Sequence, residues 1–269
     1  MKMLLITLLC FFTLHSNAQE LFAVTEPASN MAAGSIGARM DHSLMDELNT
    51  SKINYHFIPE IMVGVSGKLM THANLFFSNR NKDFGFEGGS IYTKYRFLSR
   101  DATQRHFRMA VFGRWSFNKS DIHQEEINMY GHNTGFEMGV VATQLLRKVA
   151  ISSGLSFAEA YDNGNNNKFV YGTENSRALN YTFSVGKLML PKQYKNYRQT
   201  NLNLMLEFLS QLNMGSGKYY LEIAPSAQLI FNSQGRVDIG YKQELGASLS
   251  RTAPNGFFIR LEYNVFNVF

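Results

Sequence analysis

The chain has 269 residues, 45% of them hydrophobic, with a formal net charge of +5 and a pI near 9.2. This length suits one large domain or two ordinary ones. The basic residues are scattered singly, with no run or patch, which argues against a nucleic-acid partner. Cys10 is the single cysteine and lies in a segment that we expect to be removed. The mature chain is therefore predicted to have no disulfide and no cysteine-ligated metal.

The N-terminus has the pattern of a secretory signal peptide. Lys2 precedes an apolar run over residues 3–14, and the letters SNA at 16–18 form a small-x-small cleavage pattern. The apolar run is too short to cross a bilayer as a helix. We therefore expect cleavage after Ala18, export of the protein, and a mature chain that begins at Gln19.

From residue 33 onward, alternating apolar and polar residues predict about twelve strands in a single β unit. In HFRMAVFGRWSF, for example, Phe107 and Met109 fall on the opposite side from Arg108. Each predicted strand has roughly the length that a tilted membrane-spanning strand needs. The predicted strands cover 33–43, 53–65, 69–79, 84–98, 106–118, 134–146, 149–161, 177–190, 200–212, 218–231, 236–247 and 256–269.

The connections between the predicted strands alternate between short and long. The two longest, 119–133 and 162–176, both follow odd-numbered strands. Outer-membrane barrels show this asymmetry, with tight periplasmic turns and long outer loops. A soluble sandwich has no reason to sort its loops in this way. The shorter connections between the other strand pairs are expected near 66–68, 99–105, 147–148, 191–199 and 232–235.

The closing segment, FFIRLEYNVFNVF, also alternates. Apolar residues recur from Phe257 to Val265, and Arg260 and Glu262 lie between them. In a soluble sandwich the apolar face would meet a core and the charged face water. In a membrane barrel the apolar face would meet lipid and the charged face the lumen. This segment alone fits both interpretations.

With the signal peptide, the even strand number, the loop asymmetry and the closing RLEYNVFNVF, the chain resembles a Gram-negative outer-membrane β-barrel protein. The resemblance implies an all-β fold: a transmembrane, antiparallel, up-and-down barrel of about 12 strands, surrounded by outer-membrane lipid. In that family the barrel-assembly machinery reads an aromatic-ended last strand as an insertion signal, which makes this machinery an expected partner. Asn267 departs from the family pattern, which usually has an apolar residue there. The residues that match the signal are Leu261, Tyr263, Val265 and Phe269.

The predicted organisation is a signal peptide at 1–18, an N-terminal segment at 19–32 and the barrel at 33–269. The stretch ELFAVTEPASNM in the N-terminal segment is expected either to hang in the periplasm or to fold into the bore as a plug. The asparagine-rich loop and the predicted start at Gln19 resemble proteins of the Bacteroidota. No cofactor is predicted.

A barrel of about twelve strands has room for a narrow lumen. Opposed charges across such a lumen set ion or solute selectivity, but the same charges could instead pair and fill the interior. Both interpretations stay open at this point. The leading hypothesis is a narrow, porin-like channel for small solutes or ions, without enzymatic activity. The residues expected to line it are Arg108, Arg114, Glu207, Glu222, Lys242, Arg260 and Glu262.

One alternative is metal handling by the long connection that contains DIHQEEINMYGH. Imidazole and carboxylate groups suit Zn²⁺ or Cu²⁺, and thioethers suit Cu⁺. The spacing matches no defined metal site. The candidate ligands in this connection are His123, Glu126, Met129 and His132.

Two further alternatives are a hydrolase and a binding or structural barrel. A hydrolase could use MDHS at residues 40–43, but adjacent strand residues point to opposite faces, so His42 should face away from Asp41. A binding or structural role would use the connections 119–133 and 162–176 as its contact surface.

Overall fold

The computed structural model describes residues 22–48, 50–80, 83–164, 175–193 and 199–269, and its strands form one closed antiparallel barrel. The twelve strands are β1 (Ser35–Asp46), β2 (Ile53–Gly64), β3 (Leu69–Ser78), β4 (Gly85–Ala102), β5 (Arg105–Asn118), β6 (Thr134–Leu146), β7 (Val149–Tyr161), β8 (Arg177–Leu190), β9 (Asn201–Asn213), β10 (Tyr219–Phe231), β11 (Gly235–Ala247) and β12 (Asn255–Val265).

Each strand pairs with its neighbours in sequence, and β1 pairs with β12 to close the barrel. The closing ladder runs from Ile36 opposite Val265 to Asp46 opposite Asn255. Closure removes the two edges of the sheet, so the strands satisfy one another's backbone hydrogen-bonding groups. The predicted fold class, an all-β up-and-down barrel of twelve strands, is confirmed.

The wall buries polar side chains and exposes apolar ones, the reverse of a soluble sheet. In β1, Arg39 and Asp41 are buried while Met40 between them is 43% exposed. In β12, Arg260 and Glu262 are buried while Leu261 is exposed. Because successive strand side chains point to opposite faces, the alternation in sequence separates the inside of the barrel from the outside. A broad apolar exterior of this kind is typical of membrane-spanning barrels.

Among the described residues, no helix is long and apolar enough to cross a membrane.

The two longest connections, between β5 and β6 and between β7 and β8, follow odd-numbered strands as predicted, but the connection between β8 and β9 is longer than several in that set. Tight turns at one end of the barrel use non-glycine residues with positive φ, including Gln104 (59°) and Arg147 (54°). The turn expected at 99–105 is shorter than predicted, because β4 continues to Ala102, which pairs with Arg105. In the long connection after β7, residues 165–174 lie outside the described part of the chain, as does the predicted signal peptide.

The end of the chain departs from the predicted strand 256–269. The ladder with β1 ends at Val265, and Asn267 has a positive φ of 56°, which takes the backbone out of the strand. The amide of Val268 then donates a hydrogen bond to the carbonyl oxygen of Gly34. Phe269 is 72% exposed and lies beyond the wall, outside the strand that the apolar pattern predicted.

Candidate functional site: the bore of the barrel

The residues predicted to line a lumen all occupy inward-facing positions of the strands. The four most completely buried are Glu207, Glu222, Arg260 and Glu262, at 8% exposure or less. Arg108, Arg114 and Lys242 are half-buried. The structure brings this set to the bore, the space enclosed by the sheet.

Arg39 is the centre of an ion-pair network at the seam where the barrel closes. Its guanidinium contacts the carboxylates of Glu26 (2.8 Å), Glu60 (3.0 Å) and Glu262 (3.0 Å). Glu60 also accepts from Asn74 and lies 3.1 Å from Nδ1 of His72. Because Arg39, Glu60 and Glu262 are buried, each charge depends on its partners to offset the cost of desolvation.

A second network lies further along the same seam. The Arg260 guanidinium donates two hydrogen bonds to the carboxylate of Asp41, at 2.6 and 2.9 Å. The hydroxyl of Tyr130 donates to the same carboxylate. Bidentate pairs of this kind fix geometry as well as charge. Asp41 therefore connects the wall to the connection between β5 and β6.

That connection, residues 119–133, folds into the bore, and we call it the inserted loop. The backbone N–H of Ile127 donates to Oε1 of Gln211 at 2.8 Å, and Nε2 of Gln211 donates to the Ile127 carbonyl at 2.7 Å. Ile127 and Met129 pack with Ala158 and Ala160 in a buried apolar cluster. The inserted loop therefore reaches from β5 to strands on the other side of the bore.

Arg251, in the connection between β11 and β12, binds the inserted loop. Its guanidinium contacts Glu126 of the loop (2.7 Å) together with Glu222 (2.7 Å) and Glu244 (3.2 Å) on the wall. The ring of Tyr220 lies beneath the guanidinium at 4.0 Å. Three carboxylates from different elements therefore meet at one cation.

The described part of the N-terminal segment, residues 22–32, also lies in the bore. The carboxylate of Glu207 accepts hydrogen bonds from the backbone N–H groups of Ala23, Val24 and Thr25, at 2.8–3.0 Å. Phe22 packs in an apolar cluster that includes Phe258. An acceptor-only carboxylate can satisfy several consecutive amides at once, which suits it to fixing an irregular backbone.

Three further wall side chains contact the backbone of the N-terminal segment. Lys94 Nζ donates to the carbonyl of Pro27 at 2.7 Å, and the Arg236 guanidinium donates to the carbonyl of Phe22 at 2.7 Å. The hydroxyl of Thr143 accepts from the amide of Ala28 at 2.9 Å. These contacts satisfy backbone groups that would otherwise be buried without a partner.

Glu26 in the N-terminal segment, and Tyr130 and His132 in the inserted loop, have shifted pKa values. Burial raises the pKa of Glu26, but the charges of Arg39 and Lys94 outweigh it and hold that pKa well below its usual range. Burial and the Arg80 guanidinium lower the pKa of His132 well below its ordinary value. Burial and the charge of Asp41 raise the pKa of Tyr130. At neutral pH, Glu26 is therefore ionised, whereas His132 and Tyr130 are neutral.

A cavity of about 230 Å³ remains between the N-terminal segment and the inserted loop, and both segments line it. A second cavity of about 140 Å³ is lined by His56, His132 and Arg251, among others. The bore is thus polar and occupied, with space left for water or a small solute in its middle.

The four candidate metal ligands make separate contacts. Glu126 pairs with Arg251, Met129 packs in the apolar cluster, and Nδ1 of His132 accepts a hydrogen bond from Arg80 at 2.6 Å. His123 also has an interaction of its own. Within the described part of the chain, no three His, Cys, Asp or Glu side chains form a group that could hold a metal ion. The geometry therefore gives no support to this site.

The residues considered for a hydrolase also lie apart. Asp41 faces the bore and pairs with Arg260, whereas the ring of His42 stacks on Phe57 and lies 2.8 Å from the Tyr55 hydroxyl. The two side chains point to opposite faces of β1, as strand geometry requires.

The residues assigned to the insertion signal lie on the outer surface. Leu261, Tyr263 and Val265 alternate along β12 and are 38–55% exposed. They belong to the apolar exterior, and Phe269 follows after the strand has ended. Their role in membrane insertion remains a prediction.

The sequence matches no protein-family model and no curated protein. Among solved structures, an outer membrane channel from Pseudomonas putida F1 has a TM-score of 0.55 with this chain, covering 89% of it and 98% of the channel at 12% identity. A KdgM porin has a TM-score of 0.48, covering 84% of this chain and 98% of its own at 8% identity. The first similarity shows a shared fold.

Sequence reasoning missed several residues that organise the bore. Arg236, Arg251 and Lys94 were not among the predicted lining residues, although each is buried and contacts the segments or carboxylates inside. Arg236 and Lys94 occupy inward positions of their strands, so strand alternation could have identified them. Arg251 lies in a connection between strands, where alternation carries no information.

Proposed function

We propose that the protein is a narrow outer-membrane channel for small solutes or ions, closed at rest by the N-terminal segment and the inserted loop. One observation carries this proposal: the bore is filled by two separate chain segments in addition to the side chains of the wall. The strand ladder closes without them. Both segments could therefore leave while the wall stays folded.

The charges inside the wall support this function. At rest these charges pair with one another and with the two segments. This agrees with the interpretation in which the interior charges pair and fill the bore. When the segments withdraw, carboxylates such as Glu207 and guanidinium groups such as Arg39 would face an open path. Opposed charges of this kind select among solutes.

The apolar outer face of the barrel supports the proposed location and partners. Apolar side chains on the outer face suit outer-membrane lipid, and the alternating residues of β12 suit recognition by the barrel-assembly machinery. The outer membrane channel from Pseudomonas putida F1 shares this fold, which favours the same location. Export by the signal peptide and a Bacteroidota origin remain predictions, as does the absence of enzymatic activity.

The paired interior also favours a second candidate, a permanently closed structural or binding barrel. Ion conductance separates the two candidates. The mature protein, starting at Gln19, is reconstituted in a planar bilayer in KCl beside a variant that lacks residues 19–30. We expect rare, small openings for the mature protein and larger, sustained conductance for the truncated variant.

A shift in gel mobility on boiling would show that the truncated barrel is folded. If both folded proteins leave the bilayer silent at all voltages, the channel proposal fails and the closed barrel takes its place.

A further inference from the structure

The cavity between the two bore segments has an unusual charge balance. Almost every charged side chain that lines it belongs to an ion pair, as Arg39 does with Glu60 and Lys242 does with Glu222. Arg114 and Glu137 line the same cavity, and neither has an ion-pair partner among the described residues. Partly buried charges without partners are costly, so a pair of opposite sign in one cavity points to a ligand.

Arg114 is held in place by uncharged groups. Its guanidinium lies 5.0 Å from the ring centre of Tyr92 and 4.8 Å from that of Tyr130, one on β4 and one on the inserted loop. One N–H donates to the hydroxyl of Ser90 at 3.0 Å. Cation–π contacts orient a guanidinium without neutralising it. Its other N–H groups are therefore available to bind a carboxylate in the bidentate manner typical of arginine.

Hydrogen bonds hold the Glu137 carboxylate on the side away from the tyrosine rings that contact Arg114. Its Oε1 accepts hydrogen bonds from the hydroxyl of Ser156 and from Nδ2 of Asn180, at 2.5 and 3.1 Å. These partners lie on β7 and β8, away from β4. Oε2 has no such partner among the described residues and is available to accept from an ammonium group.

The register of the wall places the two side chains beside each other. Arg114 and Glu137 are directly opposite in the ladder between β5 and β6, where Cβ atoms lie about 4.5–5.5 Å apart. They form no ion pair, because the Arg114 guanidinium contacts the two tyrosine rings on one side and the Glu137 carboxylate accepts from Asn180 on the other. A cation and an anion are thus presented side by side and a short distance apart.

We infer that this cavity binds a small zwitterion of the α-amino acid type, with its carboxylate on Arg114 and its ammonium on Glu137. The cavity of about 230 Å³ is smaller than the ~300–1,000 Å³ typical of pockets for drug-sized ligands, which limits the solute to a small one. This inference rests on the proposed channel function and names the class of solute that would occupy its middle.

Isothermal titration calorimetry of the mature protein in detergent tests the inference with three compounds of similar shape. L-alanine carries both charges, isobutyrate replaces the ammonium with a methyl group, and isopropylamine replaces the carboxylate with a methyl group. We expect alanine to bind at least about tenfold more tightly than either analogue, the equivalent of ~1.4 kcal/mol. Arg114→Met and Glu137→Gln should each weaken alanine binding by a similar factor, and Arg177→Met at the rim should not.

Two results would overturn the inference: no alanine binding by the folded protein, or equal binding of alanine and a singly charged analogue. Bilayer recordings keep this failure separate from failure of the channel proposal. Conductance in KCl that alanine does not alter, in a protein that does not bind alanine, removes the zwitterion site and leaves the channel. Alanine binding by a protein that never conducts would support the zwitterion site and contradict the channel.

Discussion

The hydroxyl and the backbone amide of Thr25 both donate hydrogen bonds to Oε2 of Glu207, each at 2.8 Å. The amides of Ala23 and Val24 donate to Oε1 of the same carboxylate. One wall side chain on β9 therefore anchors the N-terminal segment by four hydrogen bonds to a single charge. Loss of that charge should weaken the closed state more than it weakens the wall.

Glu207→Gln should open the channel more often. The amide presents only one acceptor oxygen, so some of the four hydrogen bonds are lost, and each bond to a charged group is worth roughly 1.5–3 kcal/mol. We expect at least about a tenfold rise in open probability in single-channel recordings. Glu159→Gln is the control, because Glu159 pairs with the exposed Arg177 at the rim. Unchanged gating in Glu207→Gln would contradict the anchoring role.

Arg39→Met should destabilise the barrel at its seam. The substitution leaves Glu26, Glu60 and Glu262 without their shared cation, and removing one partner of a buried ion pair costs roughly 3–5 kcal/mol. The measurement is urea unfolding in lipid vesicles, followed by the gel shift on boiling. Arg177→Met, which breaks an exposed pair, should cost no more than about 1 kcal/mol. Equal stabilities of the two variants would show that the Arg39 network contributes little.

Acidification below about pH 6.5 should loosen the inserted loop. The pKa of His132 is lowered in the docked loop, where Arg80, His56, Lys242 and Arg251 face it, so the docked ring stays neutral. A released loop takes up a proton below the ordinary histidine pKa of ~6.5, so docking is strongest above that pH and weakens as pH falls. Conductance should rise between pH 6.5 and 5, and His132→Gln should reduce this rise. An identical pH profile in the variant would refute the assignment.

A second acid transition should come from Glu26. Its pKa is lowered in the docked state, so the stabilisation is present above the ordinary pKa of a free glutamate and is lost as pH falls below it. We expect protease cleavage of the N-terminal segment to begin only below about pH 4.5. Glu26→Gln should make cleavage independent of pH in that range. Cleavage of the unmodified protein at neutral pH would mean that the segment does not stay docked.

Leu155→Arg should impair membrane folding strongly. Leu155 lies in the middle of β7 and is 52% exposed on the apolar exterior. An arginine facing lipid costs about 2–4 kcal/mol at the bilayer midplane and about 0–1 kcal/mol near the interface. Tyr219→Arg, at the start of β10, is the matched control. Folded fractions in lipid vesicles measure both, and a larger loss for Tyr219→Arg would place the membrane band elsewhere.

Much of the wall could be predicted from the sequence, because strand signals are local. The predicted bounds 134–146, 149–161 and 177–190 coincide with β6, β7 and β8. The inward direction of Arg260 and Glu262 followed from alternation with the apolar residues around them. The end of β12 could not be predicted, because the apolar pattern continues past Val265 while the backbone turns away.

The contacts inside the bore could not be predicted from the sequence, for a physical reason. Periodicity shows which face a side chain occupies, but which charges meet depends on register, closure and segments far away in the chain. Glu126 suggested a metal ligand by its residue type, yet it pairs with Arg251, which is 125 residues distant. The sequence by itself determined a closed wall with apolar residues outside and charges inside. Only the tertiary structure decided that two segments fill that wall, because backbone amides and carboxylates can recognise each other only after the barrel has brought them together.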